Sequence, residues 1–150
     1  MKISFSLLFV LFVVSISCSQ KGENNNAYYE AEKVFEEALQ IHDEVMPLMG
    51  DIIKLQSNLR AKKENITDEN TLQKINETMQ NLENAHNAMM VWMRNVTQVP
   101  DNIEGMPEAS DLPTPEEMLK IQEKSLQNIE EVKAAIIESM ERANSLLSTL

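Results

Sequence analysis

The chain has 150 residues, the size of one domain, with 13 basic and 24 acidic side chains and a net charge of −11. Only 3 glycines and 5% aromatics, with few β-branched runs, argue against a β-sandwich or barrel, and the acidic balance argues against binding nucleic-acid phosphate. One cysteine excludes an internal disulfide framework and a cysteine-based zinc site.

The first segment reads as an address. Met1-Lys2 is a minimal positive start, and Ile3 to Ile16 is an apolar run interrupted only by serines. A permanent span needs about 20 apolar residues, so the run fits a signal-peptide core better than a membrane helix. It ends in Ser15-Ile16-Ser17-Cys18. A small residue before a lone cysteine, directly after such a run, resembles the bacterial lipoprotein signal, although Ser15 stands where Leu or Val is usual. Residues 1–17 are then a signal peptide, and the thiol and new amino group of Cys18 carry lipid. The plainer alternative is an ordinary secretory signal with an accidental cysteine. Removing residues 1–17 takes away one base, Lys2, and no acid, so the balance moves from −11 to −12. Acyl chains contribute ~0.8 kcal/mol per buried CH₂, so two or three anchor firmly without help from the protein surface. Residues 18–26, polar after the cysteine and ending in three asparagines, are expected to form the lipidated flexible tether.

Residues 27–150 read as three long helices. The first is predicted from about Ala27 to Lys62. Phe35, Ala38, His42, Val45, Met49, Ile52, Gln56 and Leu59 follow a 3-4 heptad spacing. Val34, Ile41, Leu48 and Leu55 flank it on one side, and Leu39, Met46 and Ile53 on the other, a stripe wide enough for two partners. Pro47 interrupts this helix by removing a backbone donor and crowding the carbonyl of Asp43. The second helix is predicted from about Asp68 to Gln98. Its seam is Leu72, Ile75, Met79, Leu82, His86, Met89, Met93 and Val96, broadened by Ala85, Met90 and Trp92. The short linker 63–67 makes the two helices antiparallel neighbours. Residues 99–113 hold three prolines and a glycine and read as a loop. Thr114 then caps a third helix, with Pro115 at its first position and Glu117 closing a capping box. Its seam is Met118, Ile121, Ser125, Ile129, Val132, Ile136, Ser139, Ala143, Leu146 and Leu150. The expected fold is all-α, an antiparallel up-down-up three-helix bundle with coiled-coil-like heptad seams.

His42 and His86 both occupy seam positions. With the first turn centred near residue 65, position 42 faces about position 88, which puts the histidines at one height. Met46, Met49, Met89 and Met93 lie within two turns of them, and Gln122, Ser125 and Leu126 fall in the same layer. Imidazole nitrogen and thioether sulfur suit Cu(I), and axial His or Met suits haem iron. His42, His86, Met46, Met49, Met89 and Met93 are therefore the candidate metal or haem ligands. The competing reading needs no cofactor: a core histidine pair, bonded to each other or to Gln122 or Ser125, with methionine as adaptable filler. Helical His and Met stripes are more often packing than ligation.

Other chemistry is rejected on spacing. Glu83-x-x-His86 matches one element of a di-iron bundle, but the equivalent stretch Leu39-Gln40-Ile41-His42 lacks the second carboxylate. There is no Cys-x-x-Cys-His motif and no glycine-rich phosphate loop. Asp43 and Glu44 adjoin His42 but are expected to point away from it toward solvent. No nucleophile–base set can be assembled, so no enzyme activity and no catalytic residue is expected.

His42-Asp43-Glu44-Val45-Met46-Pro47-Leu48-Met49-Gly50 on one helix and Ala88-Met89-Met90-Val91-Trp92-Met93 on the next resemble small Bacteroidota envelope lipoproteins of the group automatically labelled "viral A-type inclusion protein". That label reflects coiled-coil-like similarity and implies no viral role. The resemblance covers most of the mature chain. It implies a helical fold and an envelope destination, and it brings no established activity. The expectation is a lipid-anchored bacterial envelope protein, periplasm-facing rather than surface-exposed. It would meet the membrane through its lipid and a protein partner through its helices, without nucleic acid. The alternative is a periplasmic copper- or haem-binding lipoprotein.

Overall fold

A computed structural model describes residues 28–100 and 112–150. The segments expected to be a signal peptide and a tether, with Cys18 between them, and most of the proline-rich loop lie outside the described residues. Four helical segments follow in order: α1 Tyr29–Val45, α2 Leu48–Lys63, α3 Glu69–Asn95 and α4 Pro115–Thr149. Segments α1 and α2 are two halves of one kinked rod, so the architecture is three helices packed on one another, as the seams predict.

The kink follows from Pro47. Met46 (φ −54°, ψ −40°) and Pro47 (φ −60°, ψ −29°) both keep right-handed helical angles, so the chain turns on without a loop. Pro47 offers no N–H to the carbonyl of Asp43. The Met46 amide still reaches the His42 carbonyl at 2.9 Å, and Met49 bonds only three residues back, to Met46, at 3.2 Å. The starts of α3 and α4 are set by side chains. Asp68 accepts the Thr71 amide at 2.8 Å and its hydroxyl at 2.7 Å. Thr114 and Glu117 form the expected reciprocal capping box, with Pro115 opening α4.

Four contacts fix direction. The Tyr28 hydroxyl donates to the Pro113 carbonyl at 2.9 Å, and Lys133 pairs with Glu44, so α1 runs parallel to α4. Gln56 Nε2 donates to the Met79 carbonyl at 3.4 Å, and Trp92 Nε1 donates to the Ser125 carbonyl at 3.0 Å, so α3 runs antiparallel to both. The core joins Ala38, Val45, Ile52 and Leu59 to Ile75, Leu82 and Met89 on α3, and to Ile129, Ile136 and Ala143 on α4. Among the described residues, every buried apolar side chain lies between Ala31 and Ala143. No helix among them is long and apolar enough to cross a membrane.

Two seam assignments need correction. On α3, Ala85 and Trp92 are buried, whereas Met93 is 38% and Met90 43% exposed. Helix α3 packs along α4 and on α2 but has only slight contact with α1. Its upper half therefore turns its apolar face toward α4, and Met93 on the other flank is left uncovered. On α4, Ile121 is 37% exposed and Gln122 is fully buried in its place. Gln122 meets Thr97, so this level of α4 lies past the end of α3, where no helix covers Ile121.

Candidate functional site

His42 stands on the last turn of α1 and Trp92 on the last turn of α3. Their rings stack with centroids 5.5 Å apart and planes 26° from parallel. Trp92 is held from behind by its bond to the Ser125 carbonyl, so the indole forms a fixed plate against which the imidazole rests. His42 Nδ1 lies 2.9 Å from Asp43 Oδ1. With the proton on Nδ1, the ring donates to that carboxylate, so Asp43 does not turn away from His42 as the helical spacing suggests. The Asp43 side chain stays solvent-exposed while His42 is half-buried. Neighbouring residues on a helix point about 100° apart, and a short carboxylate at the edge of the buried stripe can bend back to an imidazole.

The register separates the two histidines. Gln56 meets Met79 and His42 meets Trp92, so the turn between the rods is centred near residue 67, two positions later than the linker suggests. Trp92, not position 88, therefore faces His42, and His86 faces the level of residues 48–49. The offset is about six residues, roughly 9 Å along the bundle. Both imidazoles are half-buried at different levels rather than forming one core pair. Met49 and Met89 are in the core, Met46 packs at its edge, and Met93 faces solvent. Among the described residues no group of three or more His, Cys, Asp or Glu side chains is placed to hold a metal ion. Chemically, the arrangement offers aromatic packing and a solvent-edge imidazole–carboxylate pair at the level of His42.

Gln122 and Ser125 do not bond to histidine. Gln122 Nε2 donates to the Thr97 carbonyl at 2.8 Å and lies 3.4 Å from the Met118 sulfur. Its Oε1 is buried without a hydrogen-bond partner among the described residues. The Ser125 carbonyl is engaged by Trp92 instead.

Sequence reasoning missed one feature altogether. The outer furrow between α3 and α4 forms a groove of about 640 Å³ bordered by Trp92, Val91 and Val96 on one side and Lys120, Ile121 and Lys124 on the other. A signal was present: Ile121, Ser125, Asn128, Val132 and Ala135 repeat at 4-3-4-3 along α4, a second stripe beside the core seam. Comparison with known proteins finds no matching family model, no matching curated protein and no matching solved structure.

Proposed function

We propose that the chain is a membrane-anchored bacterial envelope lipoprotein whose helical bundle serves as a non-enzymatic interaction or structural module. The observation that carries this reading is the position of the sole cysteine, Cys18, at the end of the apolar leader. A single thiol in an exported chain needs a use, and lipid attachment supplies one at that place. The bundle supports the second half of the reading. It exposes Val91, Met90, Met93 and Ile53 by 38–57% on helical faces, surface on which a helical partner could pack. Periplasm-facing attachment is favoured by sequence alone, since acids do not cluster directly after Cys18.

The test is Cys18→Ala in a Gram-negative host, read by membrane fractionation and by incorporation of a labelled fatty acid. The wild type is expected to take up label and partition with membranes. The variant is expected to lose the label and either appear in the soluble fraction or accumulate uncleaved. A variant that is processed and retained like the wild type overturns the assignment.

A further inference from the structure

The α3–α4 groove has the chemistry of a ligand site. Its volume, about 640 Å³, lies within the ~300–1,000 Å³ usual for small-molecule sites. Trp92 and Val132 line it, and Val91 and Ile121 stand 49% and 37% exposed at its margin. That apolar surface follows the groove from the level of Val96 toward Ala135. Between Lys120 and Ala135 it spans fifteen positions of α4, about 22 Å.

Charge gives the groove a direction. The whole chain carries −11, yet the charged residues lining this groove are Lys120, Lys124 and Glu131. The two lysines are one helical turn apart at the end beside Val96. Neither forms an ion pair within 4 Å among the described residues, whereas Lys33, Lys54 and Lys133 all do; Lys120 also acts weakly on the exposed Glu117 carboxylate one turn back, and Lys124 is the less committed of the two. Glu131 lies seven to eleven positions further along, roughly 10–16 Å away, on the exposed rim. Two cations at one end of a long apolar trough, on an otherwise acidic body, complement a molecule with one anionic head and one apolar tail.

We propose that this groove binds a long-chain fatty-acid carboxylate, its head between Lys120 and Lys124 and its chain laid along Ile121, Trp92 and Val132 toward Ala135. A carboxylate carries one charge, so the acidic chain repels it less than it repels a polyanion. The proposal does not rest on lipid attachment at Cys18, so each can fail without the other.

Trp92 is the only tryptophan and forms a wall of the groove, so its fluorescence reports occupancy. The chain from Ser19 onward retains every described core residue, and circular dichroism verifies its folding. Dodecanoate and hexadecanoate, below their micelle concentrations, are titrated against it, with dodecyltrimethylammonium as the same tail bearing the opposite head. The expected result is a saturable Trp92 change with the carboxylates, tighter for the longer chain. Lys120→Gln with Lys124→Gln weakens it about tenfold, the scale of two partly screened ion pairs. Ala135→Leu, which fills the tail end, weakens hexadecanoate more than dodecanoate, while Lys54→Gln on the far rod leaves both unchanged. Absence of a saturable change overturns the proposal, as does equal affinity in the double lysine variant or equal binding of the cationic amphiphile. A concentration-dependent dimer that Val91→Glu disperses, with no fatty-acid response, assigns the groove to a second copy and overturns it equally.

Discussion

Replacing Gln122 by Met removes the least satisfied group in the core and should stabilise the bundle. The amide is fully buried, and its Oε1 meets no donor among the described residues. An unsatisfied buried polar atom costs about 1–3 kcal/mol. Against that stands the bond from Nε2 to the Thr97 carbonyl at 2.8 Å, worth about 0.5–1.5 kcal/mol net. Thr97 is exposed, so water can take over its carbonyl when the amide is gone. Methionine has the same unbranched reach, tolerates irregular space, and sits beside another thioether, Met118. The balance is a gain of about 0.5–1.5 kcal/mol, a rise in Tm of about 2–6 °C for a bundle this size. Gln122→Ala leaves a cavity and should destabilise instead, by about 1–3 kcal/mol. Chemical denaturation of the wild type and both variants, followed at the helical circular dichroism band, gives the comparison. Loss of more than 1 kcal/mol in Gln122→Met would refute the reasoning, because it would mean that Oε1 is engaged by a group outside the described residues.

Two further outcomes follow from the helix ends. Gly50 lies in the first turn of α2, exposed, and a Cβ built on it meets nothing within 4 Å, so Gly50→Ala should stabilise by about 0.5–1 kcal/mol through the unfolded chain; a loss in the same denaturation assay would show that the kink beside Pro47 needs glycine. The carboxyls of Asp68 and Glu117 are held below their ordinary values, Asp68 chiefly by the Thr71 hydroxyl and amide, Glu117 chiefly by the Thr114 amide. A carboxyl with a depressed folded pKa contributes stability above its unfolded value, here near 3.8 and 4.5, and loses it as pH falls through the folded value. Thr114→Ala, which keeps the Thr114 amide but removes the hydroxyl that accepts from the Glu117 amide, should cost about 0.5–2 kcal/mol at neutral pH as a lost N-cap, whereas Glu117→Gln, which removes the titrating carboxyl, should flatten the acid limb of the stability–pH curve; an unchanged acid limb in Glu117→Gln would mean that the capping box does not form in solution.

The parts of the fold legible in the sequence were those where a local pattern fixes the outcome. Ile75, Leu82 and Met89 recur every seven residues and all three are buried, because a heptad line on a helix can face only one way. Thr114-Pro115-x-Glu117 sets a helix start within four residues, and the structure forms it. Pro47 announces a broken rod whatever packs against it. The failures all depended on the partner helix. Whether Met93 or Trp92 is covered depends on which neighbour α3 leans against, and the spacing of α3 alone admits both. Whether Ile121 or Gln122 is buried depends on where α3 stops, since only the Thr97 carbonyl beyond its end makes a buried amide tolerable there.

The histidine level shows how such dependence propagates into function. A two-residue displacement of the turn centre moves the residue facing His42 by four positions, more than one helical turn. His42 then finds Trp92, and His86 is carried about 9 Å away. A ligand shell built from both imidazoles demands donors converging within bonding distance of one atom, so it is far more sensitive to register than burial is. Apolar packing tolerates the same displacement, because one methionine or leucine replaces another at the same face. This asymmetry favours the α3–α4 groove as the place to look for chemistry. Its apolar surface extends over several turns of α4, and its two cations are neighbours on a single helix. Lys120 and Lys124 keep their i, i+4 relation under any sliding of α3, so their pairing rests on α4 geometry alone.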